Sequence, residues 1–428
     1  MKQRIFNILS IVFLSSLAIH FGIRFYDAYK DSKEKKDETY ISDKLKNTIS
    51  KYTLNNPLSK IDDEYYFTGK TNNNYLKYQG YLWRIIKINN NDEIIAISED
   101  TITYLPYNNV ITWLNNNKII KELDINYNLL TNTSLCIDTY TDIKKAECNN
   151  NNKDNIVGIL NIKDYLKVGG DNSYINNGTN YWVSDKYDND KSWFISKEGK
   201  ISSADITNKY GVRPVITIKN KIKYIHGNGS IDNPYLIEKR TIKTLANTFQ
   251  GEYISFNNEI WRIMYNKDNK VKIISTEYMK DSKGKNIKYN FDDKNNKINK
   301  NSKIINYINT IYLKELSKKY NKYLTNGVFY TGIYPKIKNN YAYSYNKQGN
   351  LYIGLPSINE PFIYDLDNIL LMNASNVDDL TIYSIHNNTL YEDLVTSVRY
   401  IRPVVYIKDS VNIKSGKGSK TKPYILEV

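Results

Sequence analysis

A chain of 428 residues has room for two or three domains of ordinary size. Hydrophobic residues make up 41% of it and aromatic residues 13%, enough to build packed cores, which excludes a disordered chain. The formal net charge of +15 would attract polyanions such as anionic lipid headgroups, wall polymers or nucleic acid. Joint overuse of Lys, Asn, Ile and Tyr is also what an AT-rich genome produces, so the charge alone identifies no partner.

The N-terminus predicts a membrane anchor. Residues 5–23 carry no charged side chain and follow a basic start, Met-Lys-Gln-Arg. A run of that length just spans a hydrocarbon core of roughly 30 Å. The alternative is a signal peptide cleaved near Ala18, with secretion of the remainder, but the apolar run continues past that residue. We expect a single-pass signal anchor over residues 1–23, a polar stalk over 24–58 and a body outside the cytoplasm, although basic residues also follow the span.

Cys136 and Cys148 are the only cysteines of the chain. No histidine lies near enough in the sequence to complete a zinc site with them. A pair of cysteines that closes a short loop in an exported chain is typical of a disulfide. The alternative is two free buried thiols. We expect the disulfide.

A Trp-Arg-Ile motif occurs at residues 83–85 and again, 178 positions later, at residues 261–263. Each copy is followed by a turn rich in Asn or Asp and by a returning apolar segment, which predicts a β-hairpin. A segment with helical apolar spacing comes next in both places, with Trp-Leu-Asn at 113–115 and Tyr-Ile-Asn at 307–309. The matching order of these segments indicates a repeat.

The end of each copy repeats a second pattern with a constant offset of 189. Val-Arg-Pro-Val at residues 212–215 returns as Ile-Arg-Pro-Val at 401–404, and a Gly-x-Gly loop that leads to Pro-Tyr at 227–235 returns at 416–424. Ordered self-matches over such a distance predict an internal duplication. We expect two homologous domains, covering residues 59–239 and 240–428.

The arginine of each Trp-Arg-Ile motif predicts a buried ion pair. Side chains alternate along a strand, so Arg84 shares its face with apolar neighbours, as does Arg262. An unpaired buried charge costs several kcal/mol. The returning strand ends in Glu99 in the first copy and Glu277 in the second, again 178 apart. We expect structural ion pairs, between Arg84 and Glu99 and between Arg262 and Glu277.

Signatures of catalysis and of metal binding are absent from the sequence. The three histidines, His20, His226 and His386, accompany no nucleophile elbow, and the Gly-x-Gly loop lacks the Gly-Lys-Ser/Thr of a phosphate loop. The acidic segment 185–190 lacks the glycine and closing glutamate of an EF-hand, and no basic-aromatic stripe indicates nucleic acid. We expect no catalytic residue, cofactor, metal or nucleic-acid partner; a scattered carboxylate pair stays open.

Together, the Trp-Arg-Ile hairpin, the Trp-Leu-Asn helix, a paired tryptophan segment, the Val-Arg-Pro-Val strand and the Gly-x-Gly-x4-Pro-Tyr end resemble a family of tandem bacterial cell-surface domains. The resemblance covers residues 60–428. It implies a strand-rich α+β fold like that of C-type lectins, which formylglycine-generating enzymes share, and implies no activity. The second copy departs from the family pattern, with Tyr307 in place of a tryptophan and no paired tryptophan segment.

These patterns favour a membrane-anchored extracytoplasmic binding or adhesion protein without catalytic activity. Its partners would be the lipid bilayer, through residues 5–23, and envelope glycans or anionic wall polymers. The expected ligand surface is an exposed aromatic patch found only in the first copy, formed by Trp182, Tyr187 and Trp193. The alternatives are a cell-envelope hydrolase with an unrecognised carboxylate site and a structural component of the envelope.

Overall fold

The computed structural model describes residues 39–49, 58–115, 127–297, 302–330, 347–358, 360–375, 379–387 and 389–427. The predicted anchor, residues 5–23, lies outside this part of the chain. Within it, the search for a helix long and apolar enough to cross a membrane finds none.

The described residues form a strand-rich α+β fold with few helices. A π-helical turn, Ile308–Tyr312, joins the last two α-helices into one run. The α-helices are α1 (Ile41–Ile49), α2 (Tyr107–Asn115), α3 (Ile162–Lys167), α4 (Lys303–Tyr307) and α5 (Leu313–Tyr320).

The described residues before position 240 contain sixteen strands, which form two main sheets and a small hairpin. They are β1 (Leu58–Ile61), β2 (Glu64–Phe67), β3 (Tyr75–Tyr78), β4 (Tyr81–Ile88), β5 (Ile94–Ser98), β6 (Thr103–Leu105), β7 (Leu130–Thr131), β8 (Leu135–Cys136), β9 (Asn151–Asn152), β10 (Val157–Ile159), β11 (Tyr181–Lys186), β12 (Lys191–Ile195), β13 (Ile201–Asp205), β14 (Tyr210–Val212), β15 (Pro214–Ile218) and β16 (Tyr235–Leu236).

The later strands also form two main sheets and a small hairpin. They are β17 (Tyr253–Phe256), β18 (Glu259–Lys267), β19 (Lys270–Ser275), β20 (Lys288–Asn290), β21 (Gly327–Tyr330), β22 (Lys347–Leu351), β23 (Ile353–Gly354), β24 (Ile369–Ala374), β25 (Thr381–His386), β26 (Thr389–Leu394), β27 (Val398–Tyr400), β28 (Val404–Lys408), β29 (Ile413–Ser415) and β30 (Tyr424–Leu426).

The strand pairings of the two halves correspond. The first large sheet has the order β1-β2-β4-β5-β15-β10, with β3 beside β4 and β16 beside β3; the second has β23-β28-β19-β18-β17-β30-β29. In both, the Trp-Arg-Ile strand pairs with the returning strand, which pairs with the strand after Arg-Pro. In both, the Pro-Tyr strand lies parallel to the strand before the Trp-Arg-Ile strand. Each half has its own hydrophobic core.

Part of the predicted polar stalk belongs to the folded body. Helix α1 buries Ile41 and Leu45, four positions apart on one face, in the first core. The N–H of Ile41 also donates to the carbonyl of Ile222 at 2.9 Å. The stalk prediction is therefore wrong for residues 41–49, because two apolar side chains at helical spacing suffice to dock the segment.

The Trp-Arg-Ile strands β4 and β18 lie inside their sheets and are buried on both faces. Trp83 and Trp261 are both 0% exposed, while Arg84 and Arg262 are 4% and 3% exposed. Alternation along a strand places tryptophan and arginine on opposite faces. Each arginine therefore needs a polar partner inside the protein.

The arginines of the Arg-Pro motifs hold backbone carbonyls. Arg402 is 0% exposed; its Nε donates to the carbonyl of Ser275 at 2.7 Å and its Nη1 to that of Phe362 at 2.7 Å. Arg213 is 1% exposed and donates in the same way to the carbonyls of Ser98 and Ile175. Burial lowers the pKa of Arg402 to about 10. These side chains fasten a loop to the end of the returning strand.

The predicted disulfide is confirmed. Cys136, in β8, is bonded to Cys148, and their Cα atoms lie 5.3 Å apart. The loop between them carries Asp138, whose carboxylate accepts hydrogen bonds from the backbone N–H groups of Asn149 and Asn150 at 2.6 and 3.0 Å. The cross-link therefore closes a compact loop that is also held by hydrogen bonds.

We expect Arg402→Lys to lower the free energy of unfolding by about 2–4 kcal/mol, because an ammonium cannot reach the carbonyls that the guanidinium joins and stays buried. Urea unfolding measures this. The control is Arg399→Lys at a partly exposed arginine paired with Asp393 at 2.9 Å, where we expect a loss below about 1 kcal/mol. Equal losses in the two variants would contradict the role given to Arg402.

Candidate functional site

The aromatic patch predicted as a ligand surface is not exposed. Trp182 and Trp193 are 1% and 5% exposed, and their indole N–H groups donate to the carbonyls of Leu105 and Tyr140 at 2.8 and 3.0 Å. Tyr187 is half-buried, with its ring 4.8 Å from that of Trp193. The prediction of exposure is wrong because β11 and β12 lie inside a sheet whose apolar face is covered by the first core.

Asp185, beside these tryptophans in β11, is a buried carboxylate. It is 1% exposed and accepts a hydrogen bond from the backbone N–H of Ile162 at 2.8 Å. Burial raises its pKa to about 6, although that N–H and the hydroxyl of Tyr140 favour the charged form. At neutral pH the charged form of this buried carboxylate therefore destabilises the folded state.

We expect Asp185→Asn to stabilise the protein by about 1–3 kcal/mol at pH 7. The folded pKa lies above the unfolded one, so the native state binds the proton more tightly and stability falls as the pH rises from about 4 to 6. The variant should lose that slope and keep the hydrogen bond from Ile162. Urea unfolding at pH 4 to 7 measures this, with Asp190→Asn at an exposed position as the control. A stability profile unchanged from that of the parent would contradict the prediction.

The polar groups that pair with the guanidinium of Arg84 belong to the first half. Its Nη1 lies 3.5 Å from Oε2 of Glu99, the partner expected from the sequence. Its Nε donates to Oδ1 of Asn74 at 2.7 Å and its Nη2 to the carbonyl of Thr71 at 2.6 Å. The ring of Tyr75 stacks on the guanidinium at 4.0 Å.

Arg262 has different partners from those predicted. Its Nη2 lies 2.5 Å from Oδ2 of Asp100, which belongs to the first half, and its Nη1 lies 3.2 Å from Oδ2 of Asp365. Burial would lower the pKa of Arg262, but the nearby Tyr253 and the two carboxylates raise it. Glu277, the expected partner, forms an ion pair with Lys280 at the surface instead.

The predicted pair of Arg262 and Glu277 is therefore wrong, and the reason is steric. Asp100 and Asp365 already occupy both sides of the guanidinium, and the ring of Phe362 covers it at 3.6 Å. Phe362 is itself buried in the first core and its N–H donates to the carbonyl of Ile102. Arg262 thus lies where the two halves meet.

Glu252 is a second buried charge at the same boundary. It is 0% exposed and lies 3.0 Å from both Lys77 of the first half and Arg240 of the connecting segment. The hydroxyl of Tyr424 donates to it at 3.0 Å. Burial would raise the pKa of Glu252, but the charges of Lys77 and Arg240 outweigh it and the pKa is lowered.

A cleft of about 890 Å³ opens between the halves, next to these ion pairs. Lys77, Gly80 and Leu82 of the first hairpin line it, as do Glu99 and Asp100. The remaining walls come from Gly251, Tyr253, Arg262, Tyr424 and residues 225–226, 231–234, 236, 238–242 and 413–421. It is larger than the cavity of about 370 Å³ that Tyr104 and Tyr210 line, and its size suits a ligand site.

The two Gly-x-Gly loops line the cleft with the same backbone geometry. Gly227 and Gly416 have φ angles of 111° and 107°. A Cβ atom at either would lie 2.0–2.1 Å from the carbonyl oxygen of the following proline, Pro234 or Pro423. Only glycine fits there. The two loops therefore share the glycine conformation that this close approach requires and differ in their side chains.

The side chains of the second loop are basic. Lys414, Lys417 and Lys420 line the cleft and are exposed, and among the described residues no carboxylate lies within ion-pair distance of them. Their ammonium groups are available to an anionic ligand. In the same part of the chain, no group of three or more His, Cys, Asp or Glu side chains could hold a metal ion.

Comparisons of the chain with protein-family models, with curated proteins and with solved structures find no match. The site therefore rests on its own geometry. The sequence already contained its main signal, since aligning the two loops by their glycines shows lysines in only one of them.

We expect Asp100→Ala to lower the free energy of unfolding by about 1–2 kcal/mol, because it leaves the buried Arg262 with one carboxylate in place of two. Glu277→Ala removes only a surface pair and should change it by less than about 0.5 kcal/mol. Urea unfolding of both variants shows whether Arg262 pairs with Asp100, as in the structure, or with Glu277, as expected from the sequence. A larger loss in Glu277→Ala would favour the latter.

Proposed function

We propose that this protein is a membrane-anchored, extracytoplasmic binding protein without catalytic activity, and that an anionic polymer of the cell envelope binds in the cleft between its halves. The cleft offers a ligand-sized volume, and three unpaired ammonium groups lie on one wall. Cations that are held on a fixed loop beside a cavity attract and retain polyanions.

We also propose that the halves are two duplicated lectin-like domains, residues 59–239 and 240–428, each with a strand-rich α+β fold. The recurrence of the sequence motifs in the same order supports this. The matching strand pairings and the shared roles of Arg213 and Arg402 support it too. A duplicated fold places equivalent loops at equivalent positions, so the differences between the loops carry the functional information.

The observation that carries the proposal is the unequal charge of the two Gly-x-Gly loops. The second loop has Lys414, Lys417 and Lys420, with Lys422 next to them. The first loop, residues 225–235, has no lysine at all. A genome-wide excess of lysine codons would load both loops alike. Both loops line the cleft, and the concentration of lysines in only the second one therefore favours a binding role over a compositional origin.

The proposal is tested with the full-length chain in phosphatidylcholine nanodiscs and a labelled poly(glycerol phosphate) as the probe. We expect Lys414→Gln/Lys417→Gln/Lys420→Gln to weaken binding about tenfold or more at low salt, and the difference to shrink as salt screens the charges. The matched control, Lys144→Gln/Lys145→Gln/Lys153→Gln, removes the same charge from exposed positions outside the cleft and should bind as the parent does.

Equal weakening in both triple variants would show that net charge alone drives binding and would contradict a site in the cleft. Absence of binding to the polyanion would favour a structural role in the envelope. Shortening of the polymer on incubation with the parent protein would favour the hydrolase alternative.

A further inference from the structure

We propose that the cleft accepts a phosphate-bearing lipid, with its acyl chain against the first Gly-x-Gly loop and its phosphate on the lysines of the second. This inference rests on the proposed function and narrows it, since such a lipid would form the membrane-linked end of an anionic envelope polymer. The basis is the pairing of an apolar wall with a cationic wall in one cavity.

The apolar wall consists of aliphatic side chains that the fold leaves partly exposed. Ile231, at the tip of the first loop, is 47% exposed. Leu82, Ile225 and Leu236 of the first half also line the cavity with partial exposure, and Ile242 and Ile413 line it from the second half. Scattered apolar residues on a surface need no explanation, but six aliphatic side chains that line one cleft indicate an apolar ligand.

Corresponding loop positions carry opposite chemistry on the two walls. Ile225 corresponds to Lys414 and Ile231 to Lys420 at the offset of 189, and all four side chains line the cleft. The first glycines of the two loops have nearly the same φ angles, 111° and 107°. One wall therefore suits a hydrocarbon chain and the other an anion, which is the combination found in an anionic amphiphile.

The apolar lining fits an acyl chain better than a sugar ring. Sugars pack their C–H faces on flat aromatic rings, and the large rings that line the cleft are those of two tyrosines, Tyr253 and Tyr424. Tyr253 lies 5.1 Å from the guanidinium of Arg262, and Tyr424 is buried with its hydroxyl on Glu252. Branched aliphatic side chains make no such platform and instead match the contour of a flexible hydrocarbon.

The test uses an environment-sensitive fluorophore on the apolar wall. Both native cysteines are held in the disulfide, so Ile231→Cys provides one reactive thiol for acrylodan. The full-length labelled chain in phosphatidylcholine nanodiscs is titrated with lysophosphatidylglycerol, lysophosphatidylcholine or glycerol phosphate. We expect a saturable blue shift with lysophosphatidylglycerol alone, and at least a tenfold higher half-saturation concentration when Lys414 and Lys420 are also changed to Gln.

The control is Ile311→Cys with the same label, at an isoleucine that is 57% exposed and does not line the cleft; it should show no saturable shift. An equal response to lysophosphatidylcholine, or a response to glycerol phosphate alone, would overturn the inference. So would blue emission before any addition, which would assign the apolar wall to another segment of the chain. Polyanion binding that depends on the lysines without any shift at position 231 would overturn this inference and leave the proposed function intact.

Discussion

The arrangement of this protein depends on the need to neutralise one buried guanidinium in each large sheet. Arg84 and Arg262 occupy the same position in corresponding strands, and each is almost fully buried. A desolvated guanidinium without a partner would cost several kcal/mol. The first half supplies its own carboxylate, Glu99. The second half supplies Asp365 and takes a second carboxylate from outside, because Asp100 of the first half also reaches Arg262. Arg262 thus has both of its carboxylate partners only when the second half is docked on the first.

The ion pairs of Arg262 lie at the place where the two halves touch, and the cleft lies next to them. Near the ion pairs the contact is tight: a Cβ atom on Gly80 would lie 2.5 Å from the carbonyl oxygen of Gln250, and the hydroxyl of Tyr81 donates to the Gln250 side chain at 2.6 Å. Beyond this contact residues of both Gly-x-Gly loops line the cleft, and the hydroxyl of Thr421 donates to Asp232 at 3.0 Å between the two loops. The cavity is therefore a consequence of the docking geometry.

The sequence predicts well what local pattern and self-similarity determine. The hairpins, the closing strands and the disulfide follow from alternation, turn residues and cysteine count. Prediction from the sequence fails where the contacts of a side chain depend on packing between distant elements. Trp182 and Trp193 belong to the core because their strands lie inside a sheet that packs against the first hydrophobic cluster. Arg262 pairs with Asp100 and not with Glu277, although Asp100 lies 162 positions before it in the chain. The residue that corresponds to Asp100 in the second half is Tyr278, which carries no carboxylate. The lysine loop was readable from the sequence by comparing the copies position by position.

The buried charges also connect the boundary between the halves to the lysine loop. Lys77 pairs with Glu252 and donates to the backbone carbonyl of Lys417 at 2.7 Å, so one ammonium group fixes the interface and the loop together. Because the pKa of Glu252 is lowered, its ion pairs favour docking at neutral pH and that contribution disappears as acid protonates the carboxylate. Loss of the pairs would leave Lys77 with the carbonyl of Lys417 as its remaining hydrogen-bond partner. Docking of the halves and the shape of the cationic wall are thus linked through a single residue, and a ligand held on that wall would in turn favour the docked arrangement.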